Sequence, residues 1–150
     1  MYSQPDIAQF IADRFVPVRA HVKESAAEYR KLSGMFDTEW TPTTLVIDAT
    51  PKERHRVEGF LPREDFASQL ELGLAKTAFS AGRFDESERL FEDVLRKYPA
   101  TDAAPEAQYW AGVSRYKSSN DPADLAATTH RFRNSYADST WAKKASVWGS

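Results

Sequence analysis

Cysteine is absent from the 150-residue chain. That excludes disulfides, thiolate metal sites and thiol nucleophiles within it. Histidine is scarce: there are only three, His21, His55 and His130. None stands at ligand spacing from another histidine or a carboxylate, so no metal site is expected. No window approaches the roughly 18 uncharged apolar residues of a membrane span. Glycine is limited to six residues, and neither a glycine-rich phosphate loop nor an ordered Ser/His/Asp motif occurs. Charge of neither sign dominates, because 20 Lys and Arg face 22 Asp and Glu for a net −2. That balance argues for solubility and against a nucleic-acid surface. Residues Met1–Asp6 have neither the basic start nor the apolar run of a signal peptide, so a cytoplasmic location is expected.

What is present suffices for a core. Hydrophobic residues make up 41% of the chain and include nine Phe, six Tyr and four Trp, which excludes a disordered chain. The length suits one ordinary domain or two small ones sharing an element. Asp6 is placed to cap a short helix over Pro5–Arg14, with Ile7, Phe10 and Ile11 as its apolar stripe. Phe15–Val22 is rich in β-branched residues and predicts a strand; because Pro17 lacks a donor, it sits at an edge or begins its ladder at Val18. Ser25 and Glu28 match a capping box for a helix that stops at Gly34. Then Thr43–Asp48 and Arg54–Phe60, separated by a turn at Thr50-Pro51, predict an antiparallel hairpin bent at Gly59.

After Pro62 the apolar period changes from two to 3.6. Phe66, Leu70 and Leu74 form a row on a helix over Glu64–Ala81, which Gly82 breaks. Asp85 and Glu88 match a second capping box, before the stripe Leu90, Phe91, Val94 and Leu95 on a helix over Glu86–Tyr98. Pro105, Asp121-Pro122 and Ser139 open three more helices, carrying Trp110, Ala111 and Tyr116; Leu125, Ala126 and Phe132; and Trp141, Ala145 and Trp148. Loops this short force consecutive helices to pack as antiparallel neighbours. A repeat runs through them: Leu74-Ala75…Phe79 recurs as Ala111-Gly112…Tyr116, the small residues allowing close helix approach.

With Pro99 as a closing proline, Leu74, Ala75, Gly82, Ser87, Phe91 and Leu95 fall on signature positions, and this half resembles a tetratricopeptide repeat array. It departs from that family at Ala78, where tyrosine is usual, and in a stretched second repeat. The first half looks like the C-terminal part of a thioredoxin fold. Trp40-Thr41-Pro42-Thr43 sits where that family has its cis-proline loop, and Glu58-Gly59-Phe60 matches the bend in its last strand. The family's central strand and Cys-x-x-Cys segment have no counterpart among these residues. The fold class expected is therefore α/β and mostly helical: an incomplete thioredoxin-like sheet followed by an antiparallel helical-hairpin array. Residues 1–66 would form the first unit and 67–150 the second, with the helix over 64–81 shared.

The resemblances imply a protein- or peptide-binding interaction module. The alternative is the cysteine-free remainder of a thiol–disulfide oxidoreductase whose thiols lie upstream of Met1. No catalytic residue and no cofactor is expected in either case, and neither nucleic acid nor membrane is an expected partner. In thioredoxin folds the residue before the cis-proline, here Thr41, offers backbone groups to an extended peptide. Trp40 either covers that peptide or packs as a core aromatic. In tetratricopeptide arrays the groove positions would be Lys76, Phe79, Tyr109, Val113 and Tyr116; these either anchor a peptide or pack against the neighbouring unit. The missing central strand implies that the strand over 16–22 either pairs directly with that over 43–47 or completes its sheet with a second copy, giving a homodimer.

Overall fold

A computed structural model describes residues 4–149. The described residues are mostly helical, with one small antiparallel sheet of two strands. In order, the elements are α1 (Pro5–Arg14), α2 (Ala26–Phe36), β1 (Thr43–Ile47), β2 (Glu53–Glu58), α3 (Arg63–Ser80), α4 (Phe84–Lys97), α5 (Ala103–Ser119), α6 (Ala123–Asn134) and α7 (Thr140–Ala145). A short 3-10 turn, Ser146–Gly149, follows.

The helix α3 is central because it is buried on every side, from Phe66 through Leu70 and Leu72 to Ala75 and Ala78. Its first half joins Ile7 and Val46 in one apolar cluster through Phe66, Ala67 and Leu70. Its second half joins Phe91 and Val94 of α4 and Ala103, Ala107 and Ala111 of α5 through Leu72 and Ala75. Leu74, expected in the buried row, is only half-buried, because the face that reaches the second cluster runs through Leu72 and Ala75. Glu71 is buried within α3 and is answered by Lys97 Nζ at 3.0 Å and by the Tyr98 hydroxyl at 3.1 Å.

The hairpin pairs Thr43 with Glu58, Thr44 with Val57 and Val46 with His55, with an irregularity between Val46 and Ile47. Since strand side chains alternate, Val46, His55 and Val57 share the face that lies on α3. Gly73 makes that approach possible: a Cβ there would stand 2.7 Å from Val46 Cγ2 and 3.3 Å from His55 Cβ. On the opposite face, Arg56 pairs with Glu53 and Glu58 and donates to the carbonyls of Phe36 and Asp37 at the end of α2. At the turn, Asp48 accepts from the Thr50 hydroxyl at 2.6 Å, from the Thr50 amide at 2.8 Å and from Arg54 at 2.6 Å. Those donors, Thr50 first, hold its carboxyl far below the usual carboxylate range.

Consecutive helices from α3 to α7 pack against one another. Gly112 brings α5 against α6, since a Cβ there would stand 2.0 Å from Thr128 Oγ1. Buried Ser87 of α4 donates to Ser114 of α5 at 2.8 Å. Along the helix flanks, Glu92 on α4 takes Arg131 of α6 at 2.6 Å and Arg115 of α5 at 3.5 Å.

Several expectations are corrected. Phe15–Val22 is not a strand and makes no ladder with β1, so the direct pairing of the two does not occur. Val16 and Val18 stand 93% and 71% exposed. β-branched residues favour extension, but a strand also needs a neighbour, and β1 and β2 take each other. The second helix does not stop at Gly34; it continues to Phe36, and Asp37 in the left-handed region (φ 47°) ends it. The Ser25 hydroxyl does not cap α2; it accepts from the His21 amide at 2.6 Å instead. Neither does Asp85 cap α4, whose first turn contains it; its carboxylate accepts from Ser118 at 2.5 Å. Asp6 likewise lies inside the first turn of α1 and pairs with Arg63. In α6 the buried face carries Thr128, Thr129 and Phe132, leaving Ala126 exposed. Ser139 does cap α7, accepting from the Ala142 amide at 3.0 Å.

Candidate functional site

The residues singled out in the sequence fall on two surfaces. The first is the open end of the hairpin. The Thr41–Pro42 peptide is cis, as expected for this loop. Pro42 O accepts from the Gly59 amide at 2.8 Å, and Trp40 O accepts from the Thr43 hydroxyl at 2.7 Å. Gly59 takes φ 86°, a conformation that suits glycine, and so turns the chain out of β2 towards α3. These bonds fasten the loop on both sides of Thr41, yet Thr41 itself makes no hydrogen bond among the described residues. Trp40 is 66% exposed, and Phe60, on the other arm of the hairpin, is 76% exposed. Of the two readings of Trp40, the core aromatic is therefore corrected. Phe60 was not expected as a site residue; its position just after the Gly59 bend was the available signal.

The second surface is the face of α3 and α5, and here the side chains are engaged with one another. Lys76 pairs with Glu106 at 2.5 Å. Phe79 meets Phe84 and Trp110 edge-on, with centroids 5.3 and 5.2 Å apart. Tyr109 packs on Trp110, tilts against Trp141 at 5.2 Å and stacks on Trp148 at 4.7 Å. This desolvation raises the Tyr109 phenol above its ordinary pKa. Trp110 Nε1 is buried without a partner among the described residues. Tyr116 and Val113 are half-buried on the same helix. So Phe79 and Tyr109 come together through Trp110, in a ring chain that ties α3, α5 and α7, and apart from Trp40, Thr41 and Pro42.

A third cluster has no signature in the sequence, because its members lie at positions 55, 69, 76 and 106. His55 Nε2 is 2.6 Å from Gln69 Oε1, and its Nδ1 is 3.1 Å from Lys76 Nζ. Lys76 can only donate, so Nδ1 must accept; the proton then sits on Nε2 and is donated to Gln69. The ring is thus neutral. Burial first, and the Lys76 ammonium second, hold its pKa below the ordinary 6.5.

Among the described residues, no three His, Cys, Asp or Glu side chains converge as a metal site, and no helix is long and apolar enough to cross a membrane. No family model, no curated protein and no solved structure matches the chain.

Proposed function

We propose that the chain is a protein-interaction module that takes an extended, apolar peptide segment at the hairpin end formed by Trp40, Thr41, Pro42 and Phe60. The observation that carries this reading is the uncommitted main chain of Thr41 between two exposed aromatic side chains. Free backbone groups supply directional hydrogen bonds, and flanking aromatics supply apolar area at low entropic cost. The groove reading of Lys76, Phe79, Tyr109 and Tyr116 has less support, since the first three are held in the contacts of the array itself. On this reading the architecture is a thioredoxin-like remnant joined to a tetratricopeptide-like array. Support comes from an antiparallel hairpin that turns at Gly59 into a helix and from the consecutive helices that pack after it.

The test is selection of a random peptide library on the whole chain, followed by titration against the W40A/F60A double variant. Peptides chosen on the wild type should bind that variant at least tenfold more weakly, about 1.4 kcal/mol, with the helical circular dichroism unchanged. Equal affinity for both proteins would refute the site. The exposed Val16 and Val18 favour a second copy of the chain as the other occupant of the strand half. A mass that rises with concentration in sedimentation would identify that homodimer.

A further inference from the structure

We propose that His55 is a proton-operated latch that holds the hairpin on α3 while its ring is neutral and releases it once the ring is protonated. His55 is carried with Val46 over Gly73, where the helix has no side chain to pad the contact. It is gripped from both ends. Nε2–H donates to Gln69, and Nδ1 accepts from Lys76, which is itself tied to Glu106 of α5. The relay Gln69–His55–Lys76–Glu106 therefore connects β2, α3 and α5.

A proton on Nδ1 removes the acceptor and sets an imidazolium 3.1 Å from an ammonium. The carboxylates that face the ring are Glu53 on β2 and Glu106 on α5. Both are already engaged: Glu53 with Arg56 at 2.7 Å and Glu106 with Lys76 at 2.5 Å. Like charges this close in a half-buried site repel strongly, and the hairpin, with two strands and one docked face, has little else to hold it on α3. The cores around Phe91, Val94 and Phe132 contain no member of the relay and stay closed. The sign follows from linkage. A released hairpin exposes the ring, which then takes its proton near the ordinary 6.5, above the pKa it has when docked. Docking is strongest above that ordinary value. It weakens as pH falls towards the depressed one, and levels off below it.

Hydrogen exchange on the whole chain at pH 7.5, 6.5 and 5.5, with rates normalised for intrinsic exchange, tests the latch. Protection over Thr43–Ile47 and Glu53–Glu58 should fall with pH by at most about tenfold per unit, the slope of one proton, while α4 to α6 hold theirs. In H55Q, which cannot take the proton, the hairpin profile should be flat. Ring resonances of the wild type, assigned with H21Q and H130Q, give a second readout that does not depend on the folding of H55Q. They should show His55 titrating below the ordinary 6.5. The latch is overturned if hairpin protection is independent of pH or falls equally in H55Q. It is also overturned if protection is lost together with that of α4 to α6, or if His55 titrates at or above 6.5.

Discussion

Alanine at Gly112 and alanine at Gly34 should move stability in opposite directions, although both glycines are helical. At Gly34 nothing lies within 4 Å of the added Cβ. The change there only removes the backbone freedom that glycine costs a helix, a gain of about 0.5–1 kcal/mol. At Gly112 the same Cβ would stand 2.0 Å from Thr128 Oγ1, 2.6 Å from Cγ2 and 2.7 Å from Cβ. Thr128 has little room to yield, because it is buried and its hydroxyl donates to Asp124 O at 2.8 Å. Overpacking of this kind costs about 1–3 kcal/mol. Against the propensity gain, G112A should come out destabilised by about 1–2 kcal/mol. That is a fall in Tm of a few degrees, at roughly 2–4 °C per kcal/mol for a chain of this length. Urea unfolding followed at 222 nm supplies the numbers. The double variant G112A/T128A should cost less than the sum of its singles, with a coupling of at least about 0.5 kcal/mol. If G112A is as stable as the wild type, or if the cycle is additive, the close approach of α5 to α6 is not what Gly112 provides.

Two further tests use the same chain. S139A should cost about 1 kcal/mol locally and fray α7, read as lost amide protection at Ala142 and its neighbours; S25A should leave the α2 amides unchanged, because its hydroxyl serves His21 instead. Burial, with the Glu71 carboxylate beside it, pushes the Tyr98 phenol up to about 12. A raised folded pKa means stability is full below the unfolded value near 10 and is lost as pH rises between the two. The alkaline decline in Tm should therefore be shallower in Y98F, and an identical decline would show that Tyr98 does not stay neutral in the fold.

The helices were legible because their signals are local. The 3.6 period, the Gly82 break and Pro105 are each complete within one turn of chain, and Phe91 and Val94 face the core as their spacing requires. What failed depended on partners that spacing cannot name. Phe15–Val22 has the composition of a strand, yet a ladder is a contract between two segments, and no neighbour takes up this one. Ser25 and Asp85 match the capping pattern, but each side chain found another partner, in His21 and Ser118. The same divide runs through the candidate site. The cis bond of the loop at Trp40–Pro42 was readable from a contiguous motif, whereas the exposure of Trp40 was not. His55, Gln69, Lys76 and Glu106 meet only because Gly73 seats the hairpin on α3, and no spacing announces that.

The distribution of polar and apolar contacts explains why the strand half should be the responsive one. Along α3, the two apolar clusters are accompanied by polar contacts: Glu71 with Lys97 and Tyr98, and His55 with Gln69 and Lys76. Paired polar groups of this kind fix register, but they add less net stability than close-packed carbon and depend on protonation. Past the hairpin, α3, α4 and α5 close their apolar faces on one another. All but one of the large apolar side chains left exposed among the described residues lie before α3; the exception is Val147. Local opening follows the weakest set of contacts. The hairpin and the segments before it should therefore lose amide protection before α4 to α6 do, and they are where the proposed peptide would bind.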